Sequence, residues 1–151
     1  MSKVEKFEDL ICWQKSRMLV NKIYNITGLE PFDRDYNLKS QIRRAAISVT
    51  SNIAEGFRRF HQKEFIRFLD IAQSSAAEVK SQLYTAQDQN YIDKNTADDL
   101  FSLIKEVRKT LPGLIKHLDR NNNQVQEPTA DYDILPAFIR LPDDHLNTVI
   151  L

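Results

Sequence analysis

Between Leu38 and Gly56 the residues Leu38, Ile42, Ala45, Val49, Ile53 and Gly56 recur at steps of three and four. Helical winding puts such residues on one face, and that face must be buried against other elements. Turned the other way are Arg44, Ser48, Ser51, Glu55 and Arg58, with Ile47 and Ala54 beside them. A purely solvated face carries more charge and fewer small residues. This helix is therefore expected to be used on both sides, one lining its own subunit and one meeting another copy. Ile47, Ser48, Ser51 and Ala54 are the candidate oligomer-interface residues.

The rest of the chain supplies partners of the same kind. Leu10, Trp13, Val20, Ile23 and Tyr24 give a first helix, with Asp9 as the expected N-cap and Gly28 as its stop. Pro31 lies in the connection, and the second helix is expected to start between Asp33 and Leu38. A third runs from Gln62 to about Asn90, with Phe65, Phe68, Leu69, Ala72, Ala76, Val79, Leu83 and Ala86 as its buried stripe and a narrow waist at Ser74–Ala77. A fourth starts at Asp93 or Thr96 and buries Leu100, Leu103, Ile104, Val107, Leu111, Leu114 and Leu118. Pro112 is expected to kink it near residue 108. Four amphipathic helices with short connections make an all-α, antiparallel up-down four-helix bundle over residues 1–120. Residues 121–151 differ: Pro128, Pro136 and Pro142 punctuate an acidic and apolar tail, expected to dock on the bundle or a neighbour.

Composition removes several functions. The chain has only three glycines, Gly28, Gly56 and Gly113, too far apart for the close-set glycines of a phosphate-binding loop or dinucleotide turn. A single cysteine, Cys12, rules out an intrachain disulfide and points to a reducing, cytoplasmic setting. The amino terminus lacks a long apolar run, and nowhere is there an apolar stretch of the roughly 18 residues a membrane span needs. His61, His117 and His145 lie in separate segments with no metal-ligand spacing, so no catalytic site, metal or cofactor is expected. Glu55 and Glu78 could in principle do paired acid–base work. The simpler reading makes them, with Gln41 and Asn52, a structural polar layer, and Arg58 and Arg59 follow Glu55 at pairing distance.

Charge is uneven although the total is balanced. Residues 1–60 hold 11 Lys and Arg against 7 Asp and Glu, whereas residues 121–151 hold 1 against 5. Arg43, Arg44, Arg58, Arg59, Lys63 and Arg67 are the candidate nucleic-acid contacts, because an arginine fork suits phosphate. Phe57, Phe60 and His61 lie between them and could stack on bases. Taken alone, these residues fit a solvated face over core aromatics better.

A longer pattern changes that balance. Phe7-x-x-Leu10-x-x-Trp13-Gln14-Lys15, then Gln41-x-Arg43-Arg44-Ala45-Ala46-x-Ser48-Val49-x-x-Asn52-Ile53-Ala54-Glu55-Gly56, then Glu64-Phe65-x-x-Phe68-Leu69-x-x-Ala72 resembles the four-helix-bundle proteins encoded in intervening sequences of bacterial large-subunit (23S) ribosomal RNA. These are related to the accessory variability determinants of diversity-generating retroelements. The resemblance implies a ring-like homopentamer with a basic surface, a role in binding RNA or DNA, and, in the retroelement branch, a reverse transcriptase as partner. Family members are not known as enzymes. Arg43, Arg44, Arg58 and Arg59 match basic positions of the pattern. Ser74 stands where the family usually has glycine, and His61 replaces a small polar cap. The expected function is that of a non-catalytic, homo-oligomeric accessory that binds nucleic acid; the alternative is a protein-interaction scaffold.

Overall fold

The computed structural model describes residues 4–122, which form four helices: α1 (Ile11–Thr27), α2 (Tyr36–Arg58), α3 (Gln62–Asp88) and α4 (Lys94–Asn122). Each helix packs on its sequence neighbours, α4 closes against α1, and the α2–α3 pair makes the most extensive contact. The result is the expected all-α four-helix bundle. The tail expected to dock lies outside the described residues. Among the described residues, no helix is long and apolar enough to cross a membrane.

The core runs the length of the bundle in two halves. The lower half, toward the α2–α3 turn, gathers Val49, Ile53, Phe57, Phe65, Leu69, Val107, Leu111 and Leu114. The upper half, toward the α1–α2 and α3–α4 connections, gathers Ile23, Phe32, Ile42, Leu83, Leu100 and Ile104. The predicted stripes of α2 and α4 are buried at every named position. Each large apolar side chain so buried stabilises the fold by about 1.5–3 kcal/mol in transfer free energy.

Local chemistry sets the ends. Asp35 caps α2 by accepting from the Leu38 amide at 3.0 Å, and its other carboxylate oxygen accepts from the Tyr91 hydroxyl at 3.0 Å. One side chain thus ties both upper connections together, and the same hydrogen bond pushes the Tyr91 hydroxyl pKa up. Asp93 accepts from the Thr96 amide at 2.7 Å at the start of α4. That bond stabilises the carboxylate and pulls its pKa down.

Three local expectations are corrected. Asp9 is not the N-cap residue of α1: Phe7–Asp9 form a 3-10 turn, and α1 starts after Leu10, whose side chain makes no capping hydrogen bond. The Gln14 amide instead donates back to the Glu8 carbonyl at 2.9 Å. The third helix stops at Asp88, short of Asn90, which takes a left-handed φ of 59°. Phe68 is half-buried rather than core: its ring is covered by the guanidiniums of Arg59 and Arg67 instead of by core side chains. Pro112 lies within α4 and is exposed, so the Arg108 carbonyl that loses its donor lies on an exposed residue of the helix.

Gly56 explains how the lower end closes. A Cβ there would sit 2.6 Å from Phe68 Cβ and 2.9 Å from Phe65 Cδ2. The missing side chain lets α3 cross directly over the end of α2, and Phe57 then meets Phe65 edge to face at 6.0 Å.

Candidate nucleic-acid interface

The six basic candidates form two groups. Arg44 and Arg58 are fourteen positions apart, about 20 Å along α2 at 1.5 Å per residue. Within each arginine pair, one residue is tied into the fold and its neighbour is left outward. A helical step of about 100° is the physical reason.

At the upper end, Arg43 lies across the end of α1. Its Nε donates to Thr27 Oγ1 at 2.7 Å, one Nη reaches the Tyr24 carbonyl at 3.4 Å, and its guanidinium lies 4.2 Å from the Tyr24 ring centroid. The buried Thr27 hydroxyl in turn donates to the Ile23 carbonyl at 2.7 Å. A cation here satisfies groups at the negative end of α1. Arg44 is exposed and, among the described residues, forms no ion pair. Tyr24, Tyr36, Lys39, Ser40, Arg43, Arg44 and Ile47 line an open groove of about 590 Å³ on the α1/α2 seam. No carboxylate lines it, so three cations face the same space uncompensated.

At the lower end the charges are mostly answered. Arg59 pairs with Glu55 at 2.7 Å and Arg67 with Glu64 at 3.1 Å. Both guanidiniums also sit over Phe68, at 5.3 and 4.8 Å from its centroid. Arg58 and Lys63 remain exposed, without an ion pair among the described residues. Of the aromatics expected between them, Phe57 is core, whereas Phe60 is 60% exposed and held at a left-handed φ of 58°.

The four residues expected to share a polar layer each bond within their own helix. Gln41 donates to Asn37 at 2.7 Å, Asn52 to the Ser48 carbonyl at 2.8 Å, Glu55 accepts from Arg59, and Glu78 accepts from Gln82 at 3.3 Å. The polar link between α2 and α3 is smaller: the Ser48 and Ser75 hydroxyls meet at 2.8 Å, and Asn52 also donates to Ser48 Oγ at 3.0 Å. Ser48 is thereby engaged within the subunit. Ile47 and Ser51 are exposed and Ala54 is half-buried. Ser74 is exposed and donates to the Asp70 carbonyl at 3.2 Å.

A second basic surface was not anticipated. Lys80, Tyr84, Phe101, Ser102, Ile104, Lys105, Arg108 and Lys109 line a groove of about 760 Å³ on the α3/α4 seam, again without a carboxylate. Tyr84 and Phe101 meet at a centroid distance of 4.6 Å. The sequence signal was present as spacing: Lys80 and Tyr84 stand four apart, and Phe101, Lys105, Arg108 and Lys109 follow one helical stripe. It reads as an ordinary solvated face until two helices are placed side by side.

Reactive groups are few. Burial pushes the Cys12 thiol up to about 12, leaving it protonated and inert. Partial burial, and then the charge of Arg120, pull the His117 pKa down. No group of three or more His, Cys, Asp or Glu that could hold a metal occurs among the described residues.

Comparison with known proteins places this geometry. Residues 8–113 match the family model described as 23S rRNA-intervening sequence protein. A solved structure from Bacteroides thetaiotaomicron, described as a protein of unknown function from the S23 ribosomal protein family, is similar with a TM-score of 0.65 and 25% sequence identity. The similarity covers 70% of this chain and 99% of that one. No curated protein matches the chain.

Proposed function

The chain belongs to the 23S rRNA-intervening sequence protein family, and on that premise we propose that it is a non-catalytic, homo-oligomeric accessory protein that binds structured RNA or DNA through phosphates. The observation that carries the reading is the α1/α2 groove, where Lys39, Arg43 and Arg44 face open space with no carboxylate among the lining residues. Such a site attracts polyanions of many sequences, because phosphate contacts position a nucleic acid without reading it. Tyr24 and Tyr36 add ring surface beside the cations, 40% and 77% exposed.

Self-association follows from the outer side of α2. Ile47, Ser51 and Ala54 give an exposed or half-exposed strip of apolar and small side chains, and Ile47 also lines the groove. Packing a second copy against this strip sets grooves of neighbouring subunits side by side and sums their fields. The family resemblance supplies the count of five, and its retroelement branch supplies a reverse transcriptase as the kind of partner.

Filter retention of RNA and DNA at low and moderate salt tests the binding reading. The wild type retains nucleic acid with a steep salt dependence. The double variant Lys39→Gln/Arg44→Gln loses most retention while its circular dichroism is unchanged. Equal retention by the two proteins removes the reading. Light scattering of Ile47→Glu tests the assembly, with a smaller particle expected.

A further inference from the structure

From the α3/α4 groove we infer a second nucleic-acid site, one that takes a single strand with a base stacked on Tyr84. The inference rests on the nucleic-acid reading above and adds the form of the ligand. Because the helices neighbour one another in chain order around the bundle and α4 closes on α1, the α3/α4 seam lies on the opposite side from the α1/α2 seam. One bundle therefore carries two separate cationic grooves, and one chain of phosphates does not fill both by lying along a single face.

Three features point to a single strand. Lys105, Arg108 and Lys109 are all exposed, lie within one turn of α4, and form no ion pair among the described residues. They offer a phosphate backbone a compact cluster of charge while Lys80 faces them from α3. Tyr84 is 51% exposed and is propped from one side by Phe101 at 4.6 Å. Its ring is thus braced and still open to a second planar group. A base inside a duplex offers only its edge to a protein surface, whereas an unpaired base offers its face. Ile104, fully buried, also lines the groove and adds no competing polar group.

The chain's own acidic segment, residues 123–151, is the competing occupant on charge. The aromatic ledge favours the nucleic acid, because stacking on a braced ring is sequence-tolerant and repeats along a strand.

Fluorescence anisotropy with the full-length protein decides the matter, using a labelled ten-nucleotide single-stranded RNA and a blunt duplex of the same length. The triple variant Lys105→Gln/Arg108→Gln/Lys109→Gln is expected to bind the single strand at least tenfold more weakly and the duplex less than threefold more weakly. Tyr84→Ala should lose about fivefold or more for the single strand at an unchanged salt slope, and Tyr84→Phe should restore it. A triple variant that binds the single strand as the wild type does overturns the second site but leaves the α1/α2 reading standing, provided Lys39→Gln/Arg44→Gln weakens binding. Wild-type protein that binds neither probe overturns both. A zero-length cross-link from Lys105 or Lys109 to a carboxylate of residues 123–151, undiminished by RNA, overturns the site in favour of the chain's own acidic end.

Discussion

The two ends of α2 carry the same dipeptide under different management. At the upper end, Arg43 is bonded to Thr27 and stacked on Tyr24, and Arg44 stands open beside a groove with no carboxylate. At the lower end, Arg59 is paired with Glu55 and shares the face of Phe68 with Arg67, which is itself paired with Glu64. Each pair thus splits into one arginine that builds the fold and one that is available. The lower end differs in having carboxylates within one helical turn. An arginine count says little about a polyanion surface until the acids beside each guanidinium are counted too.

This contrast can be broken or sharpened by substitution, and the largest effect is expected at the tightest point. Gly56→Ala drives a methyl group into Phe68 and Phe65; overpacking of this kind costs about 1–3 kcal/mol, read as a lower midpoint in urea. No loss of stability would mean that the lower end is looser than the contact distances imply.

Arg43→Ala comes next. It removes the donor to a buried hydroxyl at the end of α1, which keeps its own donation to the Ile23 carbonyl, and should cost about 1–2 kcal/mol, with Arg43→Lys recovering only part because the planar fork is lost. Arg44→Ala at the adjacent position should change stability by no more than about 0.5 kcal/mol. Equal effects at the two positions would erase the division of labour.

Phe60→Gly should stabilise the protein, by about 1 kcal/mol or less. A non-glycine residue at a φ of 58° is strained, and this exposed ring gives up little burial when removed. The smallest effect on stability is expected for Arg58→Gln, within about 0.5 kcal/mol of the wild type. Its binding signature differs: affinity for nucleic acid falls evenly across sequences and the salt slope drops by about one. Arg59→Gln should do the reverse, losing a few tenths of a kcal/mol with its exposed ion pair and leaving the salt slope nearly as it was.

The periodicity of three and four along four segments determined the bundle, because an apolar stripe at that spacing has no stable place except against other stripes. It also located the second and fourth helices' core positions residue by residue. Local sequence misjudged Asp9 because a cap depends on where the chain turns, and Phe68 because two guanidiniums, not core side chains, cover its ring. The tertiary structure alone decided which cations meet an acid, a ring or open space. Arg43 and Thr27 are sixteen residues apart in sequence and bonded in space. The α3/α4 groove exists only because Lys80 and Tyr84 on one helix are set beside Phe101, Lys105, Arg108 and Lys109 on another. A sequence records which residue types share a helix face. Whether a charge on that face meets an acid, a ring or open water is fixed by the neighbouring helix, and that neighbour is chosen by the packing of the core.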